Sequence, residues 1–408
     1  MGTLLPGHRD GIVVIGEALV DVVPVTAGAG DSDQVTVRGR SQAGTQDSGQ
    51  AGVQDCPGGS PANVAVTLGR LGRSPQLVTC LGDDARGQAL RAWLTQSHVE
   101  VMAQVPASGR TSTASVSLGH DGSASYVFDL SWSLDRATVG QAGIDLPADI
   151  SAAIAVPPDG LPVAQPSQPS LSNQPSLSNL PASLSGQLSQ PSQQVSPPVQ
   201  PSPVPAVVHT GSIATVLEPG CVAVAQTLQA VRGRALVTFD PNARPSITPK
   251  VADVLPTVEQ LVALSDLVKV SDEDLRWYAQ ADAAPMDVAR RWAGLGPAVV
   301  IVTQGAEGSV VLRGGQEHTV PGFAVDVADT IGAGDTYMGA LIDALVRLGV
   351  SGPHAHGHLA ALSWQDLTAA VTWATAAAAI TVSRQGANPP TAAQVTDFLA
   401  SAASLSQP

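Results

Sequence analysis

The stretch Asp329-Thr-Ile-Gly332-Ala333-Gly334-Asp335 runs straight into Thr336-Tyr-Met-Gly-Ala-Leu-Ile-Asp-Ala-Leu. Gly332 and Gly334 let the backbone turn sharply and leave amides uncovered at the mouth of a helix. Those N–H groups and the positive end of the helix dipole make an anion site. Asp335 falls in the first helical turn, beside whatever anion binds there. A carboxylate next to a bound phosphate is electrostatically odd for binding alone, but fits a base that takes a proton from an alcohol attacking phosphorus. An ordinary helix-start aspartate is the plain alternative. The loop is no dinucleotide fingerprint, because Tyr337 stands where the last glycine would be. Neither of the chain's two lysines, Lys250 and Lys269, follows a glycine as a P-loop requires.

A second cluster, Pro57-Gly58-Gly59-Ser60-Pro61-Ala62-Asn63, leads into an apolar helical pattern. The glycines permit close backbone approach to a ligand, and Asn63 offers both a donor and an acceptor, as a sugar hydroxyl needs. A plain helix entry, with Ser60 as N-cap and Pro61 at the first helical position, is compatible with that reading. Three further groups sit at strand ends: Gly16-Glu17-Ala-Leu-Val-Asp21, Asp240-Pro-Asn242-Ala-Arg244 and Thr303-Gln-Gly305-Ala-Glu-Gly308. In a parallel sheet the carboxyl ends of strands form the ligand crevice, so Asp21 can accept hydrogen bonds from hydroxyls and the glycines can line a nucleotide.

The elements that must position these groups alternate. Mostly continuous apolar runs at Ile12–Ile15, Leu77–Thr79, Val207–His209, Leu236–Phe239, Leu267–Lys269, Val299–Val302 and Val310–Leu312 read as parallel strands buried on both faces. Helical patterns occupy Pro61–Leu71, Gly87–Ser97, Pro219–Val231, Pro285–Ala293, Gly332–Leu348 and Ser363–Val382. The fold class is α/β with a mainly parallel sheet flanked by helices. Thr113–Phe128 alternates with period two around Asp121-Gly122 and reads as a hairpin. The polar stretch Ala27–Asp55 reads as an extended loop or small sheet, with one strand at Gln34–Arg38. From Pro157 to Pro205 the chain holds 13 of its 32 prolines, one charged residue (Asp159) and a tandem Gln-Pro-Ser-Leu-Ser-Asn repeat. Such a segment cannot form regular structure and reads as a disordered insertion.

Composition narrows the classes. With 34 acidic against 20 basic residues the net charge is −14, a poor match for nucleic acid or an anionic membrane. Cys56, Cys80 and Cys221 lie far apart, which excludes a zinc ribbon or disulfide framework and suits a reducing cytoplasm. Glu17 and Asp21 interrupt the N-terminal apolar stretch, so it is not read as a signal peptide, and no run is long enough to span a membrane. His354, His356 and His358 read as a solvated Gly/Pro loop without a partnering carboxylate.

Taken together, Gly58-Gly59-Ser-Pro-Ala-Asn63 and Asp329-Thr-Ile-Gly-Ala-Gly-Asp335, in this order and separation, resemble the PfkB carbohydrate kinases of the ribokinase-like superfamily. Gly82-Asp-Asp84, Asp240-Pro-Asn-Ala-Arg244 and His209-Thr-Gly211-Ser212 resemble its fructokinase branch most. The resemblance implies a single ribokinase-like domain over 1–156 and 206–400. A small β lid would lie within 22–57 and 110–130, and 157–205 would be an insertion foreign to the family. It makes Asp335 the catalytic base and Gly332, Ala333 and Gly334 the anion hole. Asp21, Gly58, Gly59, Asn63 and Arg110 become sugar contacts. Lys269, Thr303, Gly305, Gly308, Gly386 and Asn388 fall on the nucleotide side, with Arg244 on phosphate. It implies ATP with Mg²⁺, and K⁺ near Asp329. Ser271 departs from the family's asparagine in a segment tied to metal and phosphate, leaving Asp272 and Glu273 to act through water.

The expected reaction is transfer of the γ-phosphoryl group of ATP to the 6-hydroxyl of D-fructose, in the cytoplasm, by a chain that pairs through its lid as a homodimer. The alternatives are a related kinase for 2-keto-3-deoxygluconate or ribose, and a sugar or nucleotide sensor without catalysis.

Overall fold

The computed structural model of the chain describes residues 11–24, 53–118, 124–146, 204–279 and 283–405. Among them the strands are, in order, β1 (Ile12–Ile15), β2 (Leu19–Pro24), β3 (Val53–Gly58), β4 (Gln76–Cys80), β5 (Glu100–Gln104), β6 (Thr113–Leu118), β7 (Ala124–Asp129), β8 (Val207–Gly211), β9 (Leu236–Asp240), β10 (Leu267–Ser271), β11 (Val299–Thr303), β12 (Ser309–Arg313) and β13 (Gln316–Val320). The helices are α1 (Ser60–Arg70), α2 (Ala85–Gln96), α3 (Arg136–Gln141), α4 (Gly220–Val231), α5 (Val251–Leu264), α6 (Asp272–Ala279), α7 (Pro285–Ala293), α8 (Ala333–Arg347), α9 (Ala355–Ala361), α10 (Trp364–Val382) and α11 (Ala392–Leu405).

The main sheet runs β13-β12-β11-β10-β9-β8-β1-β4-β5. Every neighbouring pair from β11 to β5 is parallel. The continuous apolar runs arise because both faces are covered. Ile12 and Val14 enter one core with α1, α8 and α10, and Val13 and Ile15 enter the other with α4, α5 and α7. Each fully buried Val, Leu or Ile there contributes about 1.5–3 kcal/mol. β12 departs from the parallel reading. It returns antiparallel along β11 after the short Gln304–Gly308 turn, which is too brief to hold a crossover helix.

Two strands with a solvated side, β5 and β13, carry no continuous apolar run and escape sequence inspection; Gln316 to Thr319 are all exposed. Pro256 interrupts the pattern of α5, although Val254, Val258, Leu261 and Val262 still bury one helical face. His354, His356 and His358 do not form a solvated loop. His356 and His358 belong to α9, and His356 Nδ1 lies 3.0 Å from Asp266 Oδ1, so a carboxylate partner exists.

A smaller sheet, β3-β2-β6-β7, stands beside the main one. β2 and β6 are parallel, and the remaining pairs are antiparallel. The β6–β7 hairpin matches the alternating pattern, while its Asp121-Gly122 turn, the strand expected at Gln34–Arg38 and residues 157–203 lie outside the described residues.

The topology gathers the chemistry at one edge. Gly211 pairs with Asp240 at the ends of β8 and β9, and Ser271 with Thr303 at the ends of β10 and β11. All four strands are parallel, so their carboxyl ends open on a common side.

Candidate active site

Two loops distant in sequence meet around one carboxylate. Asp335 lies in the first turn of α8 and is 7% exposed. Ser60 Oγ donates to its Oδ1 at 2.7 Å, and Asn63 Nδ2 donates to its Oδ2 at 2.8 Å. Both donors project from the first turn of α1, so the two glycine-rich entries face each other. Gly59 caps α1 with φ 103°, and a Cβ there would lie 2.6 Å from the Glu17 carbonyl oxygen. Only glycine accommodates that conformation and that approach. Ser60 is therefore the first helical residue rather than the cap, and its hydroxyl is spent on Asp335.

Gly332 caps α8 in the left-handed region with φ 74°, and among the described residues no side chain caps that end. The helix offers amides and the positive end of its dipole to an anion. The loop is fastened from behind by Asp329, whose Oδ1 accepts from the Ile331 amide at 3.0 Å and whose Oδ2 accepts from Gly386 at 2.9 Å. A Cβ on Gly332 would come within 2.6 Å of Ala387 Cβ, so the Gly386–Asn388 segment packs directly on the anion loop. Asn388 in turn takes a hydrogen bond from Arg70 at the far end of α1.

A buried charge cluster supports this loop. Lys269 Nζ donates to Asp240 Oδ2 at 2.9 Å, with side chains only 4% and 1% exposed. That nitrogen lies 2.9 Å from where a Cβ on Gly334 would stand, directly behind the anion loop. Burial alone would lower the Lys269 pKa, but Asp240, Asp274 and Asp335 around it hold the ammonium above its ordinary value. Asp274 Oδ1 accepts from the Ala243 amide at 3.1 Å, and its own amide is capped by Ser271 Oγ at 3.0 Å. The carboxylate from this segment that faces the cluster is Asp274. Glu273 is exposed, and Asp272 pairs with Arg276.

The smaller sheet contributes the opposite wall. Asp21 on β2 stands across from Cys56 on β3 and packs on Gly58. Burial pushes Asp21 up to about 6, opposed by the charge of Arg244. Burial likewise raises Glu17 to about 7, and its Oε2 accepts from the Ala214 amide at 3.2 Å. Arg244 Nη1 donates to the carbonyls of Asn242 and Ala243, each at 3.0 Å, and to Asn242 Oδ1. Asn242, at φ 39°, turns Nδ2 toward Ser60 Oγ at 2.7 Å.

Contacts thus join Asp335, Gly332, Gly334, Gly59, Asn63, Lys269 and Arg244, with Asp21 and Gly58 on the sheet alongside. Thr303, Gly305 and Gly308 form the β11–β12 turn at the same sheet edge. Arg110 stands apart: its side chain is 72% exposed and pairs with Asp129 at 3.0 Å. Sequence reasoning missed Glu17, Ser60, Asn242 and Asp274 as site residues. Glu17, Ser60 and Asn242 lie inside quoted motifs and Asp274 directly follows Glu273, but side-chain direction, not residue type, selects them.

The crevice sets a buried carboxylate at an open helix terminus near a buried cation, on a ribokinase-like fold. The fold is shared with fructokinase with bound ATP from Xylella fastidiosa (TM-score 0.68, 20% identity, 97% of this chain and 100% of that one). It is shared also with a fructokinase variant from Vibrio cholerae O395 in fructose, ADP and potassium ion bound form (TM-score 0.61, 23% identity, 95% and 97%). The family model for pfkB family carbohydrate kinases matches residues 9–143 and 187–394, and the chain belongs to that family. It is a carbohydrate kinase, a transferase that moves a phosphoryl group from ATP to a sugar. It is 28% identical to a fructokinase from Klebsiella pneumoniae over 341 residues, 83% of this chain and 85% of that protein. Among the described residues no helix is long and apolar enough to cross a membrane.

Proposed function

We propose that the chain phosphorylates D-fructose at its 6-hydroxyl with ATP, by in-line transfer with Asp335 as general base. The observation that carries this reading is the clasp of Asp335 between Ser60 and Asn63 at the uncapped start of α8. There a hydroxyl entering from the smaller sheet meets a base and an anion site together. Asp335 takes the hydroxyl proton. The amides from Gly332 to Gly334, with Lys269 close behind, hold charge on the transferring phosphoryl group. Asp21, Gly58, Gly59 and Asn63 line the sugar side, and Thr303, Gly305 and Gly308 the nucleotide side. β2, β3, β6 and β7 act as a lid that excludes water. Fructose is favoured because the relatives named above that match this chain are fructokinases.

Asp240 Oδ1 is buried without a hydrogen-bond partner among the described residues, and Asp274 lies beside it. Two carboxylates with a spare oxygen suit a hard divalent cation, so they would hold Mg²⁺, which would supply neutralisation of phosphate charge. Asp329 has its oxygens engaged by amides, which suits only a weakly held ion such as K⁺. The reading includes a single kinase domain with 157–205 as an insertion, a cytoplasmic setting, and a homodimer formed through the lid, where Val53 and Val127 are 65% and 63% exposed. Light scattering on the purified chain checks the last point.

The test is ADP release from Mg-ATP with D-fructose, ribose, 2-keto-3-deoxygluconate, adenosine and no acceptor. Clear preference for fructose supports the reading; preference for another sugar overturns the substrate and keeps the reaction. No stimulation by any acceptor, with sugar and ATP still bound, turns the reading toward a sensor.

A further inference from the structure

Ser60 has an unusual use for a helix-start serine. It does not cap α1, because Gly59 occupies the cap position, and among the described residues no side chain caps that end. Its side chain is buried, and its hydroxyl bridges two elements that the main sheet brings together: Asp335 on α8 and Asn242 in the turn after β9.

The direction of every bond in this bridge is forced. Arg244 has only donors, so the Asn242 oxygen must face it, as the Nη1 contact to Asn242 Oδ1 shows. The Asn242 amide nitrogen then faces Ser60 and can only donate, at 2.7 Å, with a longer 3.5 Å approach to Asp335 Oδ1 itself. Ser60 Oγ accepts that bond, which leaves its single proton for Asp335 Oδ1 at 2.7 Å. A one-way chain of donors therefore runs Arg244 to Asn242 to Ser60 to Asp335. Asn242 adopts φ 39° at its head, a region most residues avoid and asparagine tolerates. With Asn63 Nδ2 on the other oxygen at 2.8 Å, the carboxylate is held at both ends and cannot rotate.

We propose that Ser60 is a positioning residue for Asp335: through the chain Arg244–Asn242–Ser60 it fixes the carboxylate's orientation and keeps it ready to accept a proton. This rests on Asp335 being the base. The head of the chain lies on the sugar side, since the Arg244 charge bears on Asp21 and Glu17. The relay thus links the wall that receives the sugar to the group that deprotonates it. Other charges that bear on Asp335 are Lys269 and Asp240, from β10 and β9, and variants of the relay leave both in place.

The decisive experiment is a ¹³C NMR titration of the Asp335 carboxyl, assigned by its loss in Asp335→Asn, in the wild type and in Ser60→Ala. A hydrogen bond to the charged form favours that form, so losing it moves the midpoint up by about one pH unit. The acid limb of the kcat/KM profile moves up by the same amount, and kcat falls roughly ten-fold with the KM for ATP unchanged. Ser60→Thr, which keeps the hydroxyl, restores both. Asn242→Gly retains the backbone conformation and gives a smaller shift of the same sign, and decides the matter if Ser60→Ala does not fold. An unmoved midpoint, or a slower enzyme whose pH limb stays fixed, overturns the proposal. A wild type that turns over no acceptor overturns the kinase reading instead, and the titration still decides the relay.

Discussion

The main sheet and the small sheet beside it meet at one crevice but are built to opposite rules. All four residues of β1 are buried, as are all five of β8 and of β9, with apolar side chains on both faces. β3, by contrast, is exposed along most of its length; one side of its sheet packs on a small cluster around Leu19, Ala114 and Ile213, and only Val20 and Val22 of β2 reach the main core. A layer with so few buried apolar contacts opens at lower free energy than one sealed on both sides. Phosphoryl transfer needs groups fixed to fractions of an ångström, and these sit on the sealed layer. On the proposed reading a sugar enters and leaves along the lightly held sheet, so the rigid half sets the reaction and the soft half the choice of substrate.

The largest effects should come from breaking the rigid half. Asp335→Asn keeps the shape and removes the base, so kcat should fall about 10³-fold while ATP affinity holds. Near-normal turnover would remove Asp335 from that role. Lys269→Met should lower kcat about 10²-fold by removing fixed charge behind the anion loop. It also leaves Asp240 buried without its cation, which costs about 3–5 kcal/mol of stability. The double variant Lys269→Met/Asp240→Asn should regain much of the melting temperature and none of the rate. If rate returns together with stability, neither the Lys269 charge nor Asp240 as a Mg²⁺ ligand serves turnover, and the contrast between the halves weakens.

That contrast also explains what could be read beforehand. Continuous apolar runs exist because β1, β8, β9, β10 and β11 are covered on both sides, so the parallel sheet was visible in residue order. Gly332 was legible as a turn residue, since its left-handed φ of 74° and the close packing of Ala387 leave no place for a side chain, whereas Gly334 borders only the Lys269 ammonium. Ser60 was read as a cap because serine usually caps, and only the position of Gly59 frees its hydroxyl for Asp335. Asp274 was hidden beside Asp272 and Glu273, since which carboxylate turns inward depends on helix phase. Arg244 was legible as a strand-end cation, but its orientation toward Asp21 and Glu17 depends on the left-handed turn at Asn242. Edge strands such as β13 leave no apolar signature at all.

Between the halves sits Glu17, in the turn that joins β1 to β2, and its titration measures how tightly they are sealed together. Burial raises it to about 7 against the opposing charge of Arg244. A carboxyl whose folded value lies above its unfolded value binds more protons when folded. Its contribution is complete below about pH 4.3 and is lost as pH rises through about 7. Ionising it in place costs about 3 kcal/mol. Glu17→Gln should therefore melt several degrees higher than wild type at pH 8 and converge with it near pH 4.5. Parallel melting curves across that range would mean that water reaches Glu17 and that the joint is open.

The smallest effect should come from the soft half. Arg110 precedes β6, is mostly exposed and already has Asp129 as a partner. An exposed pair of this kind contributes about 0–1 kcal/mol, and nothing in its geometry aims the guanidinium at Asp335. Arg110→Ala should change kcat/KM for fructose by less than about three-fold at moderate salt. An acidic sugar would behave differently, because a carboxylate can displace Asp129 and take the bidentate guanidinium for itself. Steady-state kinetics of the same variant with 2-keto-3-deoxygluconate separates the two cases. A loss of ten-fold or more confined to the acid sugar would place substrate choice on the lid, on a residue that does no work for a neutral hexose.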